Sequence, residues 1–150
     1  MSRAPYQVLV IPYIRQADQI LYAVFKRSDE KFWQFIAGGG EEGETVVESA
    51  LRETSEEAGI KSYLNFNRLD TIASIPKIGF PDNHQWSKSI CVIPEYSFAL
   101  EVADQTITLS AEHLEYRWCT YEEVYSLLKW DSNRTALWEL NHKLLNGIEL

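Results

Sequence analysis

Apolar and polar positions along this chain follow two periods, and those periods divide it into strands and helices. Residues 6–14 (YQVLVIPYI) form a β-rich apolar run, 15–19 (RQADQ) a polar turn, and 20–26 (ILYAVFK) a second alternating run. Period-two segments joined by a short polar turn predict a β-hairpin. Residues 33–37 (WQFIA) read as a short strand delivering the chain into Gly38, Gly39 and Gly40. Glycine there opens backbone angles closed to other residues and lets a ligand approach the main chain. The period then changes. Val47, Leu51, Thr54 and Ala58 recur at helical spacing, which predicts an amphipathic helix with that stripe against the core. Thr45 is placed to cap it and Glu48, three residues on, to close a capping box. Gly59 suits the left-handed conformation that ends helices.

Beyond that helix the pattern predicts a strand over 69–75, a loop over 76–88 and a strong strand over 89–100 (SICVIPEYSFAL). Pro94 lies in the middle of this last strand, which favours a sheet edge or a bulge there. Residues 107–109 and 116–119 are short strand candidates. Residues 121–128 read as a helix led by Thr120 as its cap. A second amphipathic helix follows over 132–145, with Leu137, Leu140 and Leu144 at helical spacing. There is no internal repeat, linker or low-complexity segment. Strands on both sides of a central helix, with helices at the end, describe an α/β fold, a mixed sheet between helices, in one domain over 1–150.

Bulk properties narrow the chemistry. A length of 150 residues is enough to bury a proper core. Hydrophobic content of 45% and charged content of 24% are those of an ordinary soluble globular protein. The net charge of −8 argues against a partner that is a nucleic-acid polymer, which would require a basic face. It is equally awkward for a polyphosphate substrate unless metal ions mediate the contact. Cys91 and Cys119 are isolated and suggest neither a zinc site nor a disulfide framework. No charged-then-apolar leader opens the chain and no apolar run approaches a membrane span. The expectation is a cytoplasmic protein without a membrane partner, with monomer or homodimer left open.

The chemistry-bearing stretch is 38–60, GGGEEGETVVESALRETSEEAGI. On a helix Glu53, Glu56 and Glu57 fall within roughly 100° of one another. Such crowding is unfavourable unless a cation neutralises it. The bland reading is a solvated acidic face; the sharper one is a platform for a hard divalent ion, which binds carboxylate oxygens alongside substrate phosphates. Spacing favours the second. Gly38, Glu44, Arg52, Glu53, Glu56, Glu57 and Gly59 stand at the positions of G-x5-E-x7-R-E-U-x-E-E-x-G-U, where U is a bulky aliphatic residue. The stretch resembles the Nudix box, and Thr54 is its one departure. Thr is about the size of Val, and a helix can satisfy its hydroxyl on its own backbone.

The resemblance implies an α/β/α sandwich around a central mixed sheet, and hydrolysis of a nucleoside diphosphate linked to another group. Water attacks phosphorus in such enzymes while divalent ions, Mg²⁺ with Mn²⁺ as the alternative, bridge its oxygens. It implies metal oxygens from Glu53, Glu56 and Glu57. Arg52 then orients a box carboxylate, Glu44 or Glu53, by a charged hydrogen bond, against the plainer reading of a surface ion pair. Gly38 is expected to hold the loop that bends over the helix.

Two further segments, 111–118 (AEHLEYRW) and 130–134 (WDSNR), with Lys26-Arg27-Ser28-Asp29 and Phe32-Trp33-Gln34, are similar to bacterial dihydroneopterin triphosphate pyrophosphatases. That family's metal ligands fall on Glu53, Glu57 and, from across the cleft, Glu112; its substrate contacts fall on Arg27, Ala37, Ser132 and Arg3. Residues 76–88 (PKIGFPDNHQWSK) depart from its substrate loop. Plainer readings stand beside these. Glu112 is also an ordinary loop carboxylate, Arg27 a solvated strand end, and Ser132 and Asn133 helix caps. His84 and His113 are candidate proton shuttles, and Trp33, Trp86 and Tyr116 candidate stacking surfaces.

Three functions follow. The first is a Mg²⁺-dependent pyrophosphohydrolase releasing pyrophosphate and the monophosphate from dihydroneopterin triphosphate, a folate-synthesis step. The second is the same chemistry on nucleoside triphosphates, dinucleoside polyphosphates or sugar nucleotides. The third is a non-catalytic module that senses a nucleotide. Sensing modules usually lose box carboxylates, whereas Glu44, Glu53, Glu56 and Glu57 are all present.

Overall fold

A computed structural model of the chain describes residues 2–150. Its centre is a seven-stranded mixed sheet in the order β3 (Trp33–Gln34), β2 (Ile20–Arg27), β1 (Arg3–Arg15), β6 (Val92–Glu101), β5 (Asn65–Pro76), with β4 (Ile36–Glu41) also paired to β1 and β7 (His113–Cys119) to β2. The expected hairpin is β1 (Arg3–Arg15) and β2 (Ile20–Arg27), antiparallel through Tyr13–Tyr22. The turn between them is closed by the Gln16 N–H on the Gln19 carbonyl. Past Tyr13 and Tyr22 the two strands part. The chain at β3 (Trp33–Gln34) pairs with β2, and β4 (Ile36–Glu41) pairs with β1, so both occupy the gap. β4 therefore includes all three glycines. Their φ angles are not positive, unlike those of Gly43 and Gly59, so the expected loop at Gly38 is a strand and its glycines serve another purpose.

Helix α1 (Val46–Ala58) is capped by Thr45 with the Glu48 capping box complete, and it ends at Gly59 with φ of 67°. Its buried face differs from the expected stripe. Val46, Ala50, Thr54 and Ala58 turn inward while Val47 is exposed, because the four-residue row starts one position earlier. The Thr54 hydroxyl donates to the Ala50 carbonyl at 2.8 Å, which lets a polar atom sit in the core without an unpaired group. α1 packs on one sheet face over Val8, Val10, Ile36, Phe98 and Leu100. Helices α2 (Tyr121–Leu127) and α3 (Asp131–Leu145) cover the other over Leu9, Ile11, Tyr22 and Ala99, with Val124, Leu137 and Leu140 against them. This is the expected α/β/α sandwich. Each fully buried Val, Leu, Ile or Phe side chain among them contributes about 1.5–3 kcal/mol.

The remaining strands are β5 (Asn65–Pro76), β6 (Val92–Glu101) and β7 (His113–Cys119). Strand β6 lies inside the sheet, parallel to β1 and antiparallel to β5. Pro94 is tolerated because pairing with β1 begins only at Glu95, so β6 is locally an edge where the N–H is missing. Residues 89–91 are not strand; a turn closed by the Ile90 N–H on the Ser87 carbonyl precedes β6. Nor are 107–109. There the Thr108 and Ser110 N–H groups satisfy the Ala58 and Glu57 carbonyls at the end of α1, not a sheet neighbour. The loop at 76–88 contains two 3-10 turns, Lys77–Gly79 and Pro81–Gln85. No helix among the described residues is long and apolar enough to cross a membrane.

Candidate active site

Glu44, Glu53 and Glu56 gather around Arg52 where β4 runs beneath α1. Arg52 organises them. Its Nε and Nη2 donate to the two oxygens of Glu44 at 2.7 and 3.0 Å, and Nη1 to Glu53 at 2.9 Å and Glu56 at 3.2 Å. Nη2 also reaches the Gly39 carbonyl at 2.8 Å, which ties helix to strand. The alternative between Glu44 and Glu53 resolves as both. Bidentate charged bonds of this kind are short and strong, and the guanidinium holds the Glu44 carboxyl down at about 2. Glu44 also accepts from the Ser49 hydroxyl and the Glu41 N–H, so its oxygens are occupied by the protein.

Glu57 is in the opposite state. It is buried, and neither of its oxygens has a hydrogen-bond partner. Burial, with the Glu53 carboxyl beside it and Glu112 nearby, pushes its carboxyl far above the usual range. Burial raises Glu53 as well, against the pull of Arg52. Gly38 is needed here for space: a Cβ on it would overlap the Glu53 carboxyl group. An oxygen-only donor set with unpaired buried oxygens fits a hard divalent cation. Among the described residues no three such side chains already converge on a point in metal-binding geometry. Glu56 turns toward solvent and Glu112 lies on an exposed turn.

The turn carrying Glu112 is nevertheless held at this site. Its carbonyl accepts from the N–H and hydroxyl of Ser28, and Ser110 bonds the end of α1. Arg27, at the end of β2, is paired across the sheet with His113 and donates twice to Asp29 at 2.8 Å. Its charge acts on Glu57 and on Glu112. Arg27, Glu57, Glu112 and His113 are thus brought together. His113 is one of the two candidate proton shuttles. Its ring is buried against Phe25 at 5.5 Å, with Nε2 3.7 Å from Glu57. Burial, then the Arg27 charge, lowers it to about 4, so it stands neutral at the wall of the site. His84 is exposed in the 3-10 turn.

On the other sheet face, next to Gly38, Ala37 and Ser132 line one cavity of ≈ 250 Å³ with Gln7, Gln34, Phe80, Glu95 and Trp130. Ser132 and Asn133 do not cap α3, whose first turn starts after Trp130 without a side-chain cap. Instead the Asn133 Oδ1 accepts the Phe35 N–H at 3.0 Å, binding α3 to the link between β3 and β4. Arg3 lies at the rim, bonded to Gln7 at 2.6 Å and stacked near Phe80 and Trp86. Trp33 is core and Trp86 anchors the loop through its Nε1 on the Arg3 carbonyl, so the aromatic surface of the cavity comes from Phe80 and Trp130. Glu95 was not singled out from sequence. Its signal was a lone carboxylate inside the apolar run 89–100.

The model of the NUDIX domain matches residues 5–138. The chain belongs to the Nudix family. It is 28% identical over 137 residues to the dihydroneopterin triphosphate diphosphatase of Escherichia coli, covering 90% of this chain and 91% of that one. The structure superposes on a NUDIX hydrolase of Listeria monocytogenes with TM-score 0.86, 43% identity and 97% of each chain covered. On the E. coli dihydroneopterin triphosphate pyrophosphohydrolase the TM-score is 0.75 at 27% identity, covering 94% of this chain and 99% of that one. This Nudix chain is therefore a hydrolase of phosphoric anhydride bonds in small-molecule phosphates, with every charged and glycine position of its box present.

Proposed function

We propose that this Nudix hydrolase cleaves dihydroneopterin triphosphate to the monophosphate and pyrophosphate, with Mg²⁺ or Mn²⁺ held by Glu53, Glu57 and Glu112, and Glu56 at the margin. The observation that carries this reading is the near end-to-end match to dihydroneopterin triphosphate diphosphatases. A bound divalent ion supplies charge neutralisation of the phosphate oxygens and a more acidic water. The chain's own residues do the rest. Arg52 fixes the Glu44 and Glu53 carboxyls so that Glu53 cannot swing away. Arg27 supplies a cation for the phosphates once it leaves Asp29, and Arg3 a second at the rim. Ala37, Gly38 and Ser132 line the path from phosphates to heterocycle. Cys91 and Cys119 are free thiols, which suits the reducing cytoplasm proposed as its compartment.

The test is a hydrolysis panel with Mg²⁺, scored by product. Dihydroneopterin triphosphate should give pyrophosphate faster than any nucleoside triphosphate, diadenosine polyphosphate or sugar nucleotide. A poor rate on the pterin beside a good rate on diadenosine tetraphosphate would sink the substrate assignment. Glu57→Gln should lower turnover on the order of 10²–10³-fold or more. Near-normal turnover in that variant would mean the cation site lies elsewhere.

A further inference from the structure

Glu95 is 4% exposed and is the one charged side chain among the described residues that line the ≈ 250 Å³ cavity. Its Oε1 has no hydrogen-bond partner. The other polar groups around it are neutral: Gln34 from β3, Gln7 from β1, and Ser132 and Asn133 from α3. A buried carboxylate with an oxygen left without a donor is costly, and no guanidinium or ammonium lines the cavity to offset it. Native buried charges are paired, and an exception needs a reason. The cavity gives one. It is smaller than sites that enclose whole ligands, about 300–1,000 Å³, so it suits a planar bicyclic ring whose phosphate tail lies outside. Phe80 and Trp130 line it with aromatic surface, and the tail would start beside Ala37, one residue from Gly38 and the Glu53 carboxyl.

We propose that Glu95 selects the substrate's heterocycle by accepting two parallel hydrogen bonds from a ring N–H and an adjacent exocyclic amine. This 2-amino-4-oxopyrimidine edge is shared by pterins and guanine. Both donors point the same way with the spacing of a guanidinium fork, the geometry a carboxylate accepts bidentately. Gln34, which can donate, faces the same space and suits the 4-oxo group. Adenine presents one donor and one acceptor along the corresponding edge, so its ring nitrogen would set a lone pair against Glu95. A site built around a buried acceptor rejects ligands that cannot fill it. The inference rests on the pyrophosphohydrolase reading for the placement of the tail, and it deepens that reading from a phosphate site to a specificity site.

Equilibrium titration of the full chain in EDTA, where turnover is absent, tests it with dihydroneopterin monophosphate, GMP, IMP and AMP. The first two should bind at least tenfold more tightly than AMP, and IMP, which lacks the amine, should fall well below GMP. The ratio of dihydroneopterin monophosphate to GMP then distinguishes a pterin source from a guanine one. In Glu95→Gln the preference over AMP should shrink at least tenfold while AMP itself changes little. Equal binding of GMP, IMP and AMP to the wild-type chain overturns the proposal without any variant being needed. So does an unchanged preference in folded Glu95→Gln. If selective binding is present but no triphosphate is hydrolysed, the hydrolase reading fails and the Glu95 assignment stands; hydrolysis without selectivity has the reverse meaning.

Discussion

At the scale of single residues, the chain contains two kinds of buried carboxylate. Glu44 is satisfied by Arg52, Ser49 and the Glu41 N–H, and its charge is stable. Glu57 and Glu95 each have a buried oxygen without a partner. The contrast for Glu95 has a measurable consequence. Burial raises its carboxyl to about 7, with the Ser132 hydroxyl opposing the rise, against an ordinary value of about 4.3. An acid whose folded value is raised binds more protons in the folded state. Its favourable contribution is therefore full below about pH 4.3 and is lost as pH rises through 7. The whole difference is on the order of 3 kcal/mol. Glu95→Gln removes the titration, so thermal unfolding followed by circular dichroism should show the variant gaining on the wild type between pH 5 and pH 8. A melting-temperature difference that stays constant over that range would mean Glu95 is solvated or already paired.

At the scale of elements, α1 and β4 form one device, and its glycines divide the work. Gly38 leaves room for the Glu53 carboxyl, whereas Gly43 has open space around it and a φ of 89°. Gly38→Ala places a methyl where Glu53 must sit, so turnover should fall at least tenfold through misplacement of that carboxyl, while the strand itself gains from alanine and the melting temperature stays close to wild type. Gly43→Ala should do the reverse, losing about 1 kcal/mol or more of stability with turnover retained. Both variants losing activity and stability together would show that the turn and the strand are not separable. The capping box, the Gly59 stop and the β1–β2 hairpin were legible in the sequence because each depends on residues within a few positions. Val47, the 107–109 segment and the glycine strand were misread for the opposite reason. Which row of α1 turns inward, and which carbonyls 108 and 110 satisfy, depend on contacts distant in the chain. Glu95 was hidden in the same way, since its inward direction follows from its register with Gln7.

At the scale of the whole molecule, the sheet separates the two parts of the proposed site. The carboxylate cluster lies with α1 on one face, and the ≈ 250 Å³ cavity lies with α3 on the other. The gap between β1 and β2, occupied by β4, joins them at Ala37 and Gly38. The loop that departs from the dihydroneopterin triphosphate pyrophosphatase pattern supplies a wall of the cavity through Gly79 and Phe80. It is fixed by a few contacts: Trp86 on the Arg3 carbonyl, Gln85 on the Arg3 N–H, and Arg3 beside Phe80 and Asp82. Trp86→Ala removes the largest of these anchors and should release the loop without unfolding the sheet, because regions with few buried contacts open locally. The expected kinetic result is a rise in KM for the triphosphate of tenfold or so by lost heterocycle binding, with kcat nearly unchanged, since the α1 cluster is untouched. Inhibition by inorganic pyrophosphate, which has no heterocycle, should keep its wild-type strength. A variant whose kcat collapses while KM holds would show that the loop reaches the reacting phosphates, and the division of labour between the two sheet faces would have to be abandoned.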